Sequence, residues 1–259
     1  MRKAILLVSF GTSYHGARES SLERIYQELA GAANGIPVYQ AYTSRMILEK
    51  LSGQGIKINT VKEAVRQILS EGAACLYVIP SHMIPGTEYQ KMVRELEKYR
   101  SAFEKLKIAP SVLHKKEDCD KVVSVLCDIL AFRPDCEYIL MGHGSEDAAN
   151  IRYQQMNEAF LERGFENVQI ASVEAKPDLE DAINVMQKRP LARMVILHPF
   201  MVVAGDHAQN DMAGEADSYV TRLRKEGFQT KAVVKGLGEY SLFRKLYTDK
   251  LREMLFIQK

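Results

Sequence analysis

Short apolar runs alternate with segments of helical period along this chain, and the whole order is traversed once and then begun again. Such alternation describes a parallel sheet with helices on both faces, because a parallel connection must cross the sheet and the crossing segment is usually a helix. In the first pass the strand-like runs are Ala4 to Ser9, Val38 to Thr43, Cys75 to Ile79 and Ile108 to Leu113. Between them lie helical stripes of Leu22, Ile25, Tyr26 and Leu29, of Val61, Ala64, Val65 and Ile68, and of Met92, Val93, Leu96, Tyr99 and Phe103. Thr60 and Glu63 form a capping box before the second stripe. The second pass has strands at Tyr138 to Met141, Val168 to Val173, Met194 to Phe200 and Thr230 to Val234.

The correspondence extends to motifs. ILLVSFGTS lies on YILMGHGSE, and IPSHMIPGTEYQKM on LHPFMVVAGDHAQNDM, which pairs Gly11 with Gly144, Pro80 with Pro199 and Gly86 with Gly205. The expected fold is α/β, two domains related by internal duplication, each a parallel sheet flanked by helices. The join falls around Phe132 to Cys136, where Pro134 ends a helical segment. The expected domains are therefore 1–132 and 133–259, with a helix over 240–257 packing back on the first half.

With 259 residues, 46% of them hydrophobic, the chain is long enough for two compact cores. A formal charge of +2 gives no global basic field for nucleic acid. No run reaches the ~20 apolar residues that span a bilayer, and Met-Arg-Lys followed by AILLVSF reads as a strand, not a signal peptide. A cytoplasmic location is expected. Cys75, Cys119, Cys127 and Cys136 lack CxxC spacing and read as reduced structural cysteines.

In doubly wound sheets ligands bind beyond the carboxyl ends of the strands. His143 stands there between two glycines, Glu174 ends the run QIASVE, and His207 lies in AGDHAQND before a helix. Two imidazoles and a carboxylate suit late divalent ions, and three protein ligands leave positions open for exchange. Each residue also has an ordinary reading: His143 as a turn cap, Glu174 as a helix-entry charge, and Asp206 with His207 as partners of a helix N-terminus, helped by Asn210 and Asp211. The overlay sets Phe10 against His143, Ser44 against Glu174 and Glu88 against His207, so the first half lacks the trio.

VSFGTSYH, AYTSRMI, HMIPGTEY, MGHG, SVEAKPD and PFMVVAGDHAQNDM, in this order and followed by GLGE, resemble the anaerobic cobalt chelatase (CbiK) family across essentially the whole chain. AGDHAQNDM is the most specific of these. The resemblance implies two flavodoxin-like, chelatase-like domains related by a pseudo-twofold axis, with a tetrapyrrole held between them. It implies ATP-independent insertion of Co(II) into sirohydrochlorin or precorrin-2 on the anaerobic cobalamin pathway. The family's metal-binding histidines fall on His143 and His207 and its glutamate on Glu174; Ala175 and Lys176 depart from the family pattern, which has a small polar and an aromatic residue there. No cofactor is implied beyond the substrate metal Co(II).

Insertion requires stripping water from the ion, removing pyrrole protons and bending the macrocycle, a strain of about 1–5 kcal/mol. His143 is the expected principal base, with Glu174 offsetting the metal's charge. Arg45, Arg152 and Lys176 are candidates for the substrate carboxylates, Ser9, Thr12 and Ser13 for hydrogen bonds to the substrate, and Glu88 and His82 for facing it. Solvated charge or a structural role is the ordinary reading of each. The expected partners are sirohydrochlorin or precorrin-2 and divalent cobalt, with no nucleic acid and no membrane; a homo-oligomer is left open. The rival readings are a ferrochelatase or nickel chelatase of the same ring, and a cytoplasmic metal-binding or delivery protein.

Overall fold

The computed structural model describes residues 1–189 and 194–256, so residue 257 of the expected final helix lies outside the described residues. The strands are β1 Lys3–Ser9, β2 Val38–Tyr42, β3 Asn59–Thr60, β4 Cys75–Pro80, β5 Lys105–Ile108, β6 Glu137–Gly142, β7 Val168–Ser172, β8 Met194–Pro199 and β9 Gln229–Ala232. The principal helices are α1 Glu23–Ala32, α2 Arg45–Gly53, α3 Val61–Ser70, α4 Thr87–Glu97, α5 Asp118–Leu130, α6 Ile151–Glu162, α7 Leu179–Gln187, α8 Tyr219–Lys225 and α9 Ser241–Phe256. Among the described residues no helix is long and apolar enough to cross a membrane.

Two compact units form, one from Met1–Val112 together with α9, the other from Leu113–Tyr240. The first carries a parallel sheet in the order β3-β2-β1-β4-β5, the second a parallel sheet in the order β7-β6-β8-β9. Apart from the short β3, the two orders are equivalent. In the first unit Ala4, Leu6 and Val8 of β1 meet the apolar stripes of α3 and α4. Thr60 and Glu63 close the capping box of α3, the Thr60 hydroxyl accepting from the Glu63 N–H at 3.2 Å and the Glu63 carboxylate from the Thr60 N–H at 2.8 Å. In the second unit Ile139, Met141 and Leu197 meet α7 and α8.

The remaining faces are covered by an exchange of terminal helices. The helix after the last strand of the first pass, α5, belongs to the second unit, where it packs on α6 and Arg163 donates to the Ser124 hydroxyl at 2.6 Å. The helix after the last strand of the second pass, α9, packs on α1 and β4 of the first unit. Tyr247 there donates to the Ser81 carbonyl at 3.2 Å, and Arg244 pairs with Glu28 at 2.6 Å. The division therefore falls after Val112 and not near residue 132, because α5 buries its apolar stripe in the unit that follows it.

The fourth strand also differs from the sequence reading. Pairing with β4 involves Lys105 to Ile108, not Ile108 to Leu113. The apolar character of the later stretch comes from a loop whose Ala109, Val112 and Leu113 are buried after the strand has ended.

Local hydrogen bonds match between the units at the carboxyl ends of the strands. Thr43 N–H donates to Ser9 O at 3.0 Å and Val173 N–H to Gly142 O at 3.0 Å; Ser44 N–H donates to Phe10 O at 3.2 Å and Glu174 N–H to His143 O at 3.0 Å. Ser81 N–H to Val8 O, 2.8 Å, matches Phe200 N–H to Met141 O, 2.7 Å, and Gln90 N–H to Gly86 O, 3.0 Å, matches Gln209 N–H to Gly205 O, 3.1 Å. Phe10, Ser44 and Glu88 are thus the backbone equivalents of His143, Glu174 and His207.

His198 of β8 is buried, its Nδ1–H donating to the Pro199 carbonyl at 2.8 Å and its Nε2 accepting from the Tyr240 hydroxyl at 3.0 Å. Burial pushes its pKa down to about 4, against the Pro199 carbonyl, which acts the other way. The unfolded chain binds a proton near pH 6.5 that the folded chain refuses, so this stability is complete above about pH 6.5 and is lost as pH falls towards 4. Urea midpoints are expected to drop between pH 7 and pH 5 with a slope of up to about 1.4 kcal/mol per pH unit from this residue, a slope that His198→Gln flattens. Phe243 of α9 is fully buried. Phe243→Ala is expected to destabilise the chain by about 3–5 kcal/mol in the same assay; a change below about 1 kcal/mol would contradict the place of α9 in the first core.

Candidate metal centre

The main chain between β6 and the first turn of α6 brings His143 forward. Gly144, at φ +99°, accepts a conformation that L side chains rarely adopt, and a Cβ there would lie 3.0–3.1 Å from the backbone nitrogens of Ala175 and Glu174. Only glycine lets the loop after β6 lie this close to the loop after β7. Behind it, the buried Tyr153 of α6 takes the backbone N–H groups of His143 and Gly144 on its hydroxyl oxygen. Burial pushes the Tyr153 pKa up to about 12, and the two donors pull against that rise.

Glu174 projects from a tight turn after β7. The Ser172 hydroxyl donates to the Ala175 carbonyl at 2.5 Å and its N–H donates to the Pro177 carbonyl at 2.7 Å, which folds residues 172–177 back and leaves Glu174 at the outside. Asp178 then caps α7 in a reciprocal box with Asp181.

His207 opens a π-helical turn, Ala208–Met212, whose first and last residues are buried in the core under α7 and α8. Gly214 closes the turn with an N–H to the Asn210 carbonyl at 3.0 Å, and a Cβ at Gly214 would stand 2.4 Å from that same oxygen.

These three loops bring one ligand atom each from His143, Glu174 and His207 within 4.8 Å of one another. The imidazole centroids are 4.5 Å apart with planes at 84°, and Glu174 Oε2 is 3.5 Å from His143 Nδ1. His143 Nδ1 also lies 3.0 Å from the Gly144 carbonyl, which can only accept, so Nδ1 donates there and Nε2 is the nitrogen left for a ligand. His207 Nδ1 lies 2.7 Å from Asp211 Oδ2 and presents Nε2 in the same way. His207 is the least exposed at 30%, against 42% for His143 and 48% for Glu174, so the group is open to solvent on one side. A borderline N,N,O set with open positions can take up a late divalent ion and surrender it again.

The other residues singled out from the sequence have varied surroundings. Ser9 is buried and its hydroxyl accepts from Ser81 at 2.9 Å, and Thr12 is buried with its hydroxyl oxygen accepting from the Tyr14 N–H at 3.2 Å. Both hydroxyls thus already accept one hydrogen bond within the strand-end loops. Ser13 and Glu88 are half-buried, Glu88 pairing with Lys91 at 2.7 Å; Arg45 is exposed at the start of α2. Arg152 donates to the neutral Gln155 side chain at 2.6 Å, whereas Lys176 is charge-paired with Asp178 and Asp181 at 2.8 and 3.0 Å. Both ring nitrogens of His82 are shielded and have no hydrogen-bond partner among the described residues, and burial pushes its pKa down to about 4.

Tyr153 and Asp211 are contributors whose part the sequence does not show: Asp211, read there as helping a helix N-terminus, instead meets the His207 ring. Tyr153 reads as one more aromatic in the α6 stripe, and periodicity carries no sign of its hydroxyl. Asp211 stands four residues after His207, a spacing that on a helical turn puts the two side chains together. Tyr153→Phe leaves the N–H groups of His143 and Gly144 without this acceptor and is expected to cost about 1–3 kcal/mol in urea unfolding. An unchanged midpoint would show that these donors find another partner.

The chain matches the family described as Cobalt chelatase (CbiK) over residues 3–255. It is 31% identical to the sirohydrochlorin cobaltochelatase of Salmonella typhimurium over 258 residues, covering 98% of this chain and 97% of that one. It is 28% identical to the sirohydrochlorin cobaltochelatase CbiKC of Nitratidesulfovibrio vulgaris over 255 residues, covering 96% and 89%. Among solved structures, SirB from Bacillus subtilis with Fe3+ shares the fold at 14% identity with a TM-score of 0.66, covering 98% of this chain and 95% of that one. A sirohydrochlorin chelatase SirB in complex with cobalt, from Bacillus subtilis subspecies spizizenii, does so at 13% identity and 0.63, with the same coverage. With a match over nearly its full length and two parallel sheets in equivalent order, the chain belongs to the cobalt chelatase (CbiK) family.

Proposed function

We propose that this chain inserts Co(II) into sirohydrochlorin, or its reduced precursor precorrin-2, as an ATP-independent cytoplasmic step towards cobalamin. The observation that carries the reading is the convergence of His143, Glu174 and His207 within 4.8 Å in a member of a cobalt chelatase family. The names of the Salmonella and Nitratidesulfovibrio relatives supply the ring.

Co(II) is a substrate here, so the site must bind it and let it go. The two Nε2 atoms and the Glu174 carboxylate take the ion, replacing part of its water, and Glu174 offsets one of its two charges. Imidazoles make the hold weaker than anionic ligands in their place would, and the open positions admit the pyrrole nitrogens. As each pyrrole N–H gives way to a metal–nitrogen bond, its proton needs an acceptor. His143 is the principal base in this reading: its Nε2, released as the ion shifts to the ring, accepts one proton, and the Nε2 of His207, released with it, accepts the other. The ion's two charges are then balanced by the two protons lost. Among the residues outside the trio, Ser9, Thr12, Ser13, Arg45, Glu88 and Arg152 are the candidates for contacting the substrate.

Iron is the metal of the second reading, because one SirB structure of this fold is described with Fe3+ and another with cobalt, and ligand type alone does not separate late divalent ions.

The test is sirohydrochlorin and Co(II) without ATP, followed by the change in its visible spectrum. Wild type is expected to accelerate insertion, and His143→Ala to slow it by a factor on the order of 10²–10⁴. His143→Ala at the wild-type rate would overturn the assignment of the base. Cobalt binding by wild type without accelerated insertion would instead support a delivery protein. Initial rates at matched free metal are expected to rank Co(II) above Fe(II) and Ni(II); iron clearly faster would make the chain a ferrochelatase.

A further inference from the structure

We infer that Asp211 is the positioning residue of the metal centre, fixing His207 as the Nδ1–H tautomer with Nε2 turned towards the incoming ion; the inference rests on reading His143, Glu174 and His207 as the group that takes up cobalt.

Its first support is the contact itself. Asp211 Oδ2 lies 2.7 Å from His207 Nδ1, a charge-assisted distance, and a carboxylate at that place accepts the Nδ1 proton. A solvated imidazole exchanges tautomers and turns about its ring bond, and only some of those states put a bare nitrogen at the metal. Holding one state removes an entropic cost from metal uptake. His143 needs no such side chain, because its ring rests on the Gly144 carbonyl at 3.0 Å.

The second support comes from the duplication. In the first unit the stretch from Gly86 to the buried Met92 contains six steps, and in the second the matching stretch from Gly205 to the buried Met212 contains seven. The hydrogen bonds of Gln90 to Gly86 and Gln209 to Gly205 set the two starts in register. The second unit thus holds one residue more in this turn, and its backbone takes the extra residue up as the π-helical segment Ala208–Met212. With that residue present, Met212 still reaches the core while Asp211 falls beside His207. The first unit, with Glu88 at the matching position, has neither the histidine nor the extra residue.

The experiment titrates Co(II) into wild type, Asp211→Ala, Asp211→Asn and His207→Ala without tetrapyrrole, by calorimetry and the visible cobalt bands, with thermal melts alongside. Asp211→Ala is expected to weaken Co(II) binding about 10–100-fold with its melt unchanged. Asp211→Asn, whose amide oxygen can still accept the Nδ1 proton, is expected to recover most of that loss. In the metal-free protein, long-range 15N–1H spectra are expected to show His207 with its proton on Nδ1 in wild type and Asp211→Asn, and as a tautomer mixture in Asp211→Ala. That readout holds even if one variant folds poorly, since wild type and Asp211→Asn suffice to show the wrong tautomer. If Asp211→Ala binds cobalt as wild type does while His207→Ala has lost it, the positioning role is wrong and the metal centre stands. If His207→Ala also binds as wild type does, the metal centre itself is wrong. If Asp211→Asn is no better than Asp211→Ala, the hydrogen bond is not what Asp211 contributes.

Discussion

The Glu174 N–H reaches the His143 carbonyl at 3.0 Å, immediately beyond the last paired residues of two parallel strands, and the rest of the centre is arranged around that bond. It continues the β6–β7 ladder past the sheet and holds two ligand-bearing loops in fixed register. Gly144 permits the approach by having no Cβ, Tyr153 holds the other side of the loop by its N–H groups, and Ser172 folds the Glu174 turn back on itself. None of these four contacts involves a ligand atom. The positions of His143 and Glu174 are therefore set by hydrogen bonds to their loops' main chain and by the close approach at Gly144, not by contacts of the side chains that would meet a metal.

The same frame recurs in the first unit without the chemistry. The Ser44 N–H donates to the Phe10 carbonyl, and Gly11 takes φ +102° where Gly144 takes +99°. Backbone and function are separable at this location. The glycines and strand ends follow from how parallel strands enter their loops, whereas His, Glu and His can be present or replaced by Phe, Ser and Glu with that frame intact. The candidate metal centre is a set of side chains placed on a frame that exists twice.

Most of the fold was legible because the strands are buried on both faces and so read as unbroken apolar runs, as in β1, β4 and β6. The trio could be read for the same reason: strand ends are predictable once strands are, and ligands bind there. What escaped depended on partners rather than on pattern. The strand β5 alternates lysines with apolar residues at a sheet edge, so the apolar loop after it gave the stronger signal. The amphipathic stripe of α5 marks a face to be buried but not which sheet buries it. Tyr153 and Asp211 act through single polar atoms, and only the coordinates of a second loop show where those atoms point.

The exchange of α5 and α9 bears on how such a chain can have arisen and can be altered. Each repeat surrenders its last helix to the other's core and receives one in return. A repeat standing alone would lack the helix that covers this face in the present chain, and a second copy of itself supplies one by swapping. Fusion of two copies then makes that reciprocal loan intramolecular. Cutting the chain at the motif boundary would therefore separate each of these helices from the core that buries it.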